Sequence, residues 1–484
     1  MMKHMFTLDE AANAAEGRIV SRAAAENSVV TIDGVSKDTR TIRPGDIYVA
    51  IKGENFDGHD YCISAVAKGA SCLLVEREEA IPEGAVGIVV DDSVKALGKL
   101  ASLYRFKLGA KTICVTGSVG KTTTREMIAC ALSSTLKVHS TKSNQNNEIG
   151  LPMTILEAPS DTQVLVLEMG MRGRGEISYL TRIACPDIAI ITNVGYSHIE
   201  RLGSREEIRL AKTEIIEGLT EGGILAVNGD DSFLCEYASN IIPVGKLFAS
   251  AHVKLGSREI VRPANCMITA VAENVRTTDG GMVFDIKETL NDVEIKLTDV
   301  KIKLNGVHNV RNSVFALLCA GLLAADCQAA ADALASYGEM EGRGAVKDNG
   351  RNIIINDAYN ASPESMEAAY ANLALLGSGR RKIAALGCML ELGTYAPMLH
   401  EQIGRNCGSY GFELTLITGD NKEDFLRGFR QTCPDGKILL CEDTDEVREK
   451  LKEELAEGDI VLFKASNAFG FQGLAKEFAA GGYC

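Results

Sequence analysis

VTGSVGKTTT, residues 115–124, lies between the apolar run that begins KTIC and the helix-like stretch REMIACALSS. A strand, a glycine-rich loop and a helix in that order form a phosphate cradle. Gly117 and Gly120 let backbone N–H groups turn inward, Lys121 reaches toward terminal phosphates, and Thr122 can hold Mg2+. The alternative, a glycine turn bearing a surface lysine, gives no reason for the flanking strand and helix.

Outward from this loop the pattern is regular. VLVLEMG, DIAIITNVG and GGILAVNGDD read as buried strands separated by helices such as REEIRLAKTEIIEGL, which predicts a largely parallel sheet covered on both faces. MVFDIKETL and VEIKLTDVKIKL, within 245–304, alternate and read as an antiparallel ribbon extending that sheet. A second alternating series begins near Ala345 and includes SPESMEAAYANLALL, a helix with Ser362 as cap and Pro363 in its first turn. Ahead of the loop, DIYVAI, CLLVE and GIVV mark a small α/β unit.

With 484 residues and about 100 to 200 residues per domain, roughly three domains are expected. The reading is α/β throughout: a small N-terminal domain over 1–108, a central P-loop domain over 109–341, and a C-terminal Rossmann-like domain over 342–484. The net charge of −14 leaves no basic footprint for nucleic acid, which is excluded as a partner. The N-terminus has no signal-peptide h-region, and no apolar run reaches the about 18 residues of a membrane span, so a cytoplasmic protein without membrane insertion is expected. The 14 cysteines are scattered and often sit in apolar runs, as Cys114 and Cys319 do, which reads as reduced thiols packed as small hydrophobes.

Several residues outside the loop carry candidate chemistry. Glu168 ends a very apolar strand, at the sheet edge where α/β proteins bind ligands, and suits a metal. His198 follows the next strand; it is either a metal-ligating imidazole or an ordinary polar residue. Lys212 shares a helix face with Ile208, Ile215 and Ile216, so it either snorkels to solvent or serves a site. Asn146, Asn147 and Glu148 form an asparagine-rich loop suited to turn formation or to recognition. Asn309 and Asn312 are placed in the first turn of a helix, where capping competes with ligand binding.

Taken in order, these motifs resemble the Mur ligase family, the ATP-dependent amide-forming ligases of peptidoglycan synthesis. TGSVGKTTT, with Gly117, Ser118, Gly120, Lys121, Thr122 and Thr123, resembles its ATP loop. NNEIGLP and EMGMRGRGEI resemble its central signatures, NGVHNVRNS its adenine-side motif, and NDAYNASPESMEAA a motif opening its C-terminal domain. Residues 1–110, absent from folylpolyglutamate synthetases that begin near their P-loop, include VSKDTRTIRPGDIYVAIKGENFDGHDY, similar to a UDP-sugar-binding domain of the family.

The resemblance implies that ATP phosphorylates a substrate carboxylate and that an amine displaces phosphate from the acyl phosphate. It implies a UDP-muramoyl tripeptide as acid and D-alanyl-D-alanine as amine, bound by a monomer. Lys121 would stabilise the transferring phosphoryl group; Thr122 and Glu168 would hold one Mg2+ and His198 a second beside the acyl phosphate; Lys212 would be carbamylated and anionic. Asn309, Asn312, Arg343, Asp357 and Asn360 would contact ATP. Ser36, Asp38 and Arg40 would lie near the uridine, and Asn146, Asn147, Glu148 and Asn467 at substrate. Two departures stand out: Cys388 where the family has aspartate, and Asn467 in KASNAFGF where it has arginine, beside the amine site. A related ligase with another amine or acid, or a non-catalytic P-loop protein, are the competing readings.

Overall fold

The computed structural model describes residues 4–22, 30–257, 259–278, 280–290, 293–338 and 341–481. Among them the strands form three main sheets, one for each alternating series in the sequence.

The first is five-stranded, in the order Arg18–Ser21, Val86–Val89, Cys72–Val75, Asp46–Val49, Gly34–Ser36. The pair Arg18–Ser21 and Val86–Val89 is antiparallel, and the other neighbours are parallel. The helix Ser93–Leu108 leaves this sheet from an Asp92 cap whose side chain accepts from the N–H groups of Val94 and Lys95, and it leads into the strand Lys111–Thr116.

That strand lies inside a nine-stranded sheet, flanked by Val164–Glu168 on one side and Ile188–Ile191 on the other, all parallel. Each of these strands is buried nearly throughout, which is why it reads as an unbroken apolar run rather than an alternation. The ribbon expected over 245–304 is antiparallel only in its later part. Leu247–Val253 pairs parallel with both Ile224–Asn228 and Ile268–Thr278, and the antiparallel pairing begins between Ile268–Thr278 and Gly281–Leu290. Its apolar run, LFASAHV, is buried along most of its length, as a strand with both faces covered must be.

The third sheet has six strands, ordered Ala345–Asp348, Ile353–Asn356, Ile460–Lys464, Lys382–Gly387, Leu414–Thr418, Ile438–Cys441, with only the first pair antiparallel. The helix Pro363–Leu376 starts as expected: Ser362 and Ser365 bond reciprocally across the cap, and Pro363 occupies the first turn. The helices Ala396–Tyr410 and Lys422–Thr432, which the sequence reading did not single out, cover one face of this sheet against each other. Among the described residues every cysteine is a free thiol, and no helix is long and apolar enough to cross a membrane.

Candidate active site

The P-loop begins where the strand Lys111–Thr116 ends. Gly117 has φ near +150° and lies so close to Thr192 that a Cβ would collide with its Oγ1; Gly120, at φ +82°, caps the helix Lys121–Leu132. The loop is held by the neighbouring strand's end: Asn193 Oδ1 accepts from the N–H groups of Ser118 and Val119 at 3.1 and 3.0 Å, and Thr192 Oγ1 donates to Val119 O. The N–H groups of the helix's first turn lack partners within the helix and are directed along its axis, as a phosphate needs. Lys121 Nζ folds back onto Gly117 O at 2.8 Å. Burial lowers its pKa, Glu168 acts in the opposite sense, and the charge of Arg343 lowers it further.

Glu168 emerges at the end of its strand and is 2% exposed. Its Oε1 accepts from Asn146 Nδ2 at 2.9 Å, while the buried Oε2 has no hydrogen-bond partner among the described residues. The guanidinium of Arg125 stands 3.9 Å from Oε2. A buried carboxylate oxygen left without a donor at the phosphate end of a P-loop is what a cation would satisfy, so the residues fit Mg2+. Among the described residues no group of three or more His, Cys, Asp or Glu side chains forms a metal cluster by itself. An ion here would draw on Thr122 and phosphate oxygens as well as Glu168.

His198, with φ +66°, has its Nδ1 2.6 Å from Glu391 Oε2, so a loop residue of the C-terminal domain, after the strand Lys382–Gly387, fixes this ring and leaves Nε2 for a ligand. Burial lowers its pKa, with Glu391 opposing and the charge of Lys121 acting with burial, and the balance favours neutral imidazole. Lys212 is 1% exposed, which overturns the snorkelling reading. Ile208 and Ile215 are fully buried beside it. Its pKa falls well below the ordinary lysine value, first through burial and then through the charge of Lys121, with Glu364 opposing. An uncharged amine in this position is the form that can react with CO2.

A cavity of about 1280 Å3 brings these groups together with residues of the C-terminal sheet. Ser118, Gly120, Lys121, Thr122, Thr123, Glu168 and His198 line its phosphate end, and Asn146, Asn147 and Glu148 a neighbouring wall. Asn309 and Asn312 face the P-loop; Thr124 Oγ1 donates to Asn312 Oδ1 at 3.1 Å. The helix runs Val307–Leu322, so Asn309 is in its first turn but Asn312 is in the second, where it ties two helices together rather than capping one. Arg343, Asp357 and Asn360 enter from the C-terminal side. Arg343 stacks 4.1 Å over the ring of Tyr359, whose hydroxyl donates to Asn144 Oδ1 at 2.6 Å across the cavity.

Sequence reasoning missed Lys464. It is 2% exposed, ends a central strand, and places Nζ 3.0 Å from Asp357 Oδ2 and 2.6 Å from Asn360 O. Asp357, raised by burial, is drawn back toward the ionised form first by Lys464 and then by Arg343. KASN at a strand end was the available signal. Glu364, Glu391 and Asn193 were also missed; each acts through a partner remote in sequence.

Other expected residues stand outside the cavity. Gly117 and Lys212 lie behind its wall. Asn467 is exposed, accepts a bond from Gln472 at 3.0 Å, and is not among the lining residues, so the structure does not bring it to the site. Ser36, Asp38 and Arg40 form a turn in the N-terminal domain away from the cavity. There Ser36 Oγ lies 3.0 Å from Asp38 O, and Arg40 grips Asp38 and holds its carboxyl down at about 2.

The fold and this cleft define a P-loop protein in which a second α/β domain closes over the phosphate end. Models of the Mur ligase family match over most of the chain: its catalytic domain at 31–105, its middle domain at 115–320 and its glutamate ligase domain at 342–467. The chain is 34% identical over 449 residues to the UDP-N-acetylmuramoyl-tripeptide--D-alanyl-D-alanine ligase of Bacillus subtilis, covering 92% of this chain and 93% of that one. Against the Escherichia coli enzyme of the same name identity is 31%, covering 94% and 95%. Among solved structures it superposes on MurF from Acinetobacter baumannii with TM-score 0.82, 26% identity and 98% coverage of both chains. For the Thermotoga maritima MurF ligase in complex with ADP the values are 0.73, 29%, and 92% and 97%. The chain belongs to the Mur ligase family.

Proposed function

We propose that this protein is an ATP-dependent ligase that joins D-alanyl-D-alanine to the free carboxyl of a UDP-N-acetylmuramoyl tripeptide, through an acyl phosphate, in peptidoglycan synthesis. The observation that carries the reading is the arrangement of Lys121, Glu168 and His198 at one end of a cavity whose other wall belongs to a second domain, with Lys212 buried close enough to feel the charge of Lys121. A protein that only held nucleotide has no use for a buried lysine and an orphaned carboxylate there. Relatives carrying this ligase name match along nearly the whole length.

ATP is the phosphoryl donor. Its phosphates are received by the backbone of Gly117, Ser118, Gly120, Thr122 and Thr123, and its nucleoside by Asn309, Asn312, Arg343, Asp357 and Asn360. Lys121 holds the negative charge that builds on the phosphoryl oxygens during transfer. Thr122 and Glu168 would hold one Mg2+ and His198 a second, and the charge such ions supply would neutralise phosphate charge. Glu391 keeps the His198 ring in place by pairing with Nδ1. Lys212, held as the free amine, adds CO2 and releases a proton, and its carbamate gives the cation site a further anionic oxygen. Ser36, Asp38 and Arg40 present the turn that receives the uridine, and Asn146, Asn147 and Glu148 the loop along which the peptide lies.

The test is product mass after incubation with ATP, the UDP-tripeptide and D-alanyl-D-alanine, with phosphate release followed alongside. One dipeptide added per phosphate released, and no release without both acid and amine, is the expected result. Phosphate release independent of the amine would sink the ligase reading, and product with a different amine only would replace the dipeptide.

A further inference from the structure

Glu364 has no place in the scheme above, yet it stands inside the cavity. It occupies the first turn of the helix Pro363–Leu376, where the helix N-terminus favours negative charge, and it lines the cleft from the C-terminal side. It also reaches the central domain: Oε1 accepts the backbone N–H of Tyr196 at 3.1 Å, and a Cβ on Gly195 would collide with the carboxylate. Its other oxygen, Oε2, is buried and has no hydrogen-bond partner among the described residues. Among the described residues no hydrogen bond or ion pair joins Lys212 to this carboxylate. A second carboxylate oxygen is thus desolvated at the domain boundary and supplied with no donor by the chain itself.

We infer that Glu364 receives the ammonium group of the incoming amine substrate. An ammonium carries three N–H donors and a positive charge, which match an anionic oxygen that accepts nothing from the protein. The position suits delivery. Tyr196 anchors Oε1, and its neighbours Gly195, Ser197 and His198 line the same cavity as Glu364. The assignment also explains why Gly195 leaves room for the carboxylate. It rests on the reading that the second substrate is D-alanyl-D-alanine.

The test is steady-state kinetics of Glu364→Gln, which keeps shape and the Tyr196 bond but removes the charge. The dipeptide KM is expected to rise about tenfold to a hundredfold, while the KM values for ATP and UDP-tripeptide change by less than about twofold. Glu364→Asp, which retains charge at shorter reach, should fall between the two and guards against a folding defect, checked by its melting curve. D-Lactyl-D-alanine, with hydroxyl in place of ammonium, serves as a competing probe. Wild type should favour the amine over it by at least about tenfold, and Glu364→Gln should lose that preference. An unchanged dipeptide KM with a lowered kcat would overturn the inference and make Glu364 a partner of Lys212 alone. If wild type makes no product with D-alanyl-D-alanine, the proposed function fails instead, and the same KM comparison on whichever amine releases phosphate judges Glu364.

Discussion

Lys121 and Lys212 are the two lysines that the proposed chemistry uses, and burial disfavours the ammonium form of both, further at Lys212. Lys121 bonds its own loop, half-buried, and in the proposed scheme acts as a cation. Replacing it by alanine removes no core contact, so Lys121→Ala should lose at least about a hundredfold in kcat with little change in melting temperature. Near-normal turnover by that variant contradicts the role given to it. Lys212 is buried between isoleucines, where an ammonium is disfavoured. Lys212→Ala should lose activity comparably, and short carboxylates added to the buffer should restore part of it by supplying the missing anionic oxygens. Full activity of the variant, together with an intact-protein mass free of CO2 adduct in wild type, rules out the carbamate.

At the scale of elements, the strand Gly281–Leu290 carries an unexpected group. Glu288 is 6% exposed and packs against Gly321 of the helix Val307–Leu322; burial pushes its pKa up to about 8. In the unfolded chain a glutamate titrates near 4.3. The folded state therefore binds this proton more tightly, and the stability it contributes is complete below the unfolded value and lost as pH rises through the folded one. Urea midpoints should fall between pH 5 and pH 8, by on the order of a few kcal/mol in unfolding free energy. Glu288→Gln should flatten that slope. An unchanged slope in the variant assigns the pH dependence to other groups.

Across the whole molecule, polar contacts join the central and C-terminal domains around the cleft, beside a shared apolar cluster. Tyr359 hydroxyl donates to Asn144, Tyr395 hydroxyl donates to Gly203 O at 3.1 Å, and Glu391 holds both His198 and the N–H of Glu200. Tyr359→Phe keeps the ring on which Arg343 stacks but deletes one bond across the cavity. Since a net hydrogen bond is worth about 0.5–1.5 kcal/mol, ATP should bind about two- to tenfold more weakly, with thermal stability nearly unchanged. Equal ATP affinity in titration calorimetry would show that this contact does not help to close the cleft.

What the sequence by itself determined is local. The P-loop needs only ten consecutive residues, because strand, glycine turn and helix cap are encoded by neighbours, and the same holds for the Ser362 cap and the apolar strands. Glu168 was legible because a charge at the end of a buried strand has one place to go. Lys212 was half legible: isoleucines at helical spacing fixed its face, but only the packing of other elements over that face decided that its amine stays inside. Asn467 does not line this cavity, because motif position says nothing about which way a loop leaves the sheet. Leu247–Val253 looked like ribbon, because parallel and antiparallel neighbours are chosen by topology and not by the strand's own residues. Lys464, Glu364 and Glu391 acquire their roles from Asp357, Tyr196 and His198, partners more than a hundred residues away. The first pairing needs two strands of one sheet to lie side by side and the other two need two domains to face each other, because charge and hydrogen bonding act through distance in space, which tertiary structure alone sets.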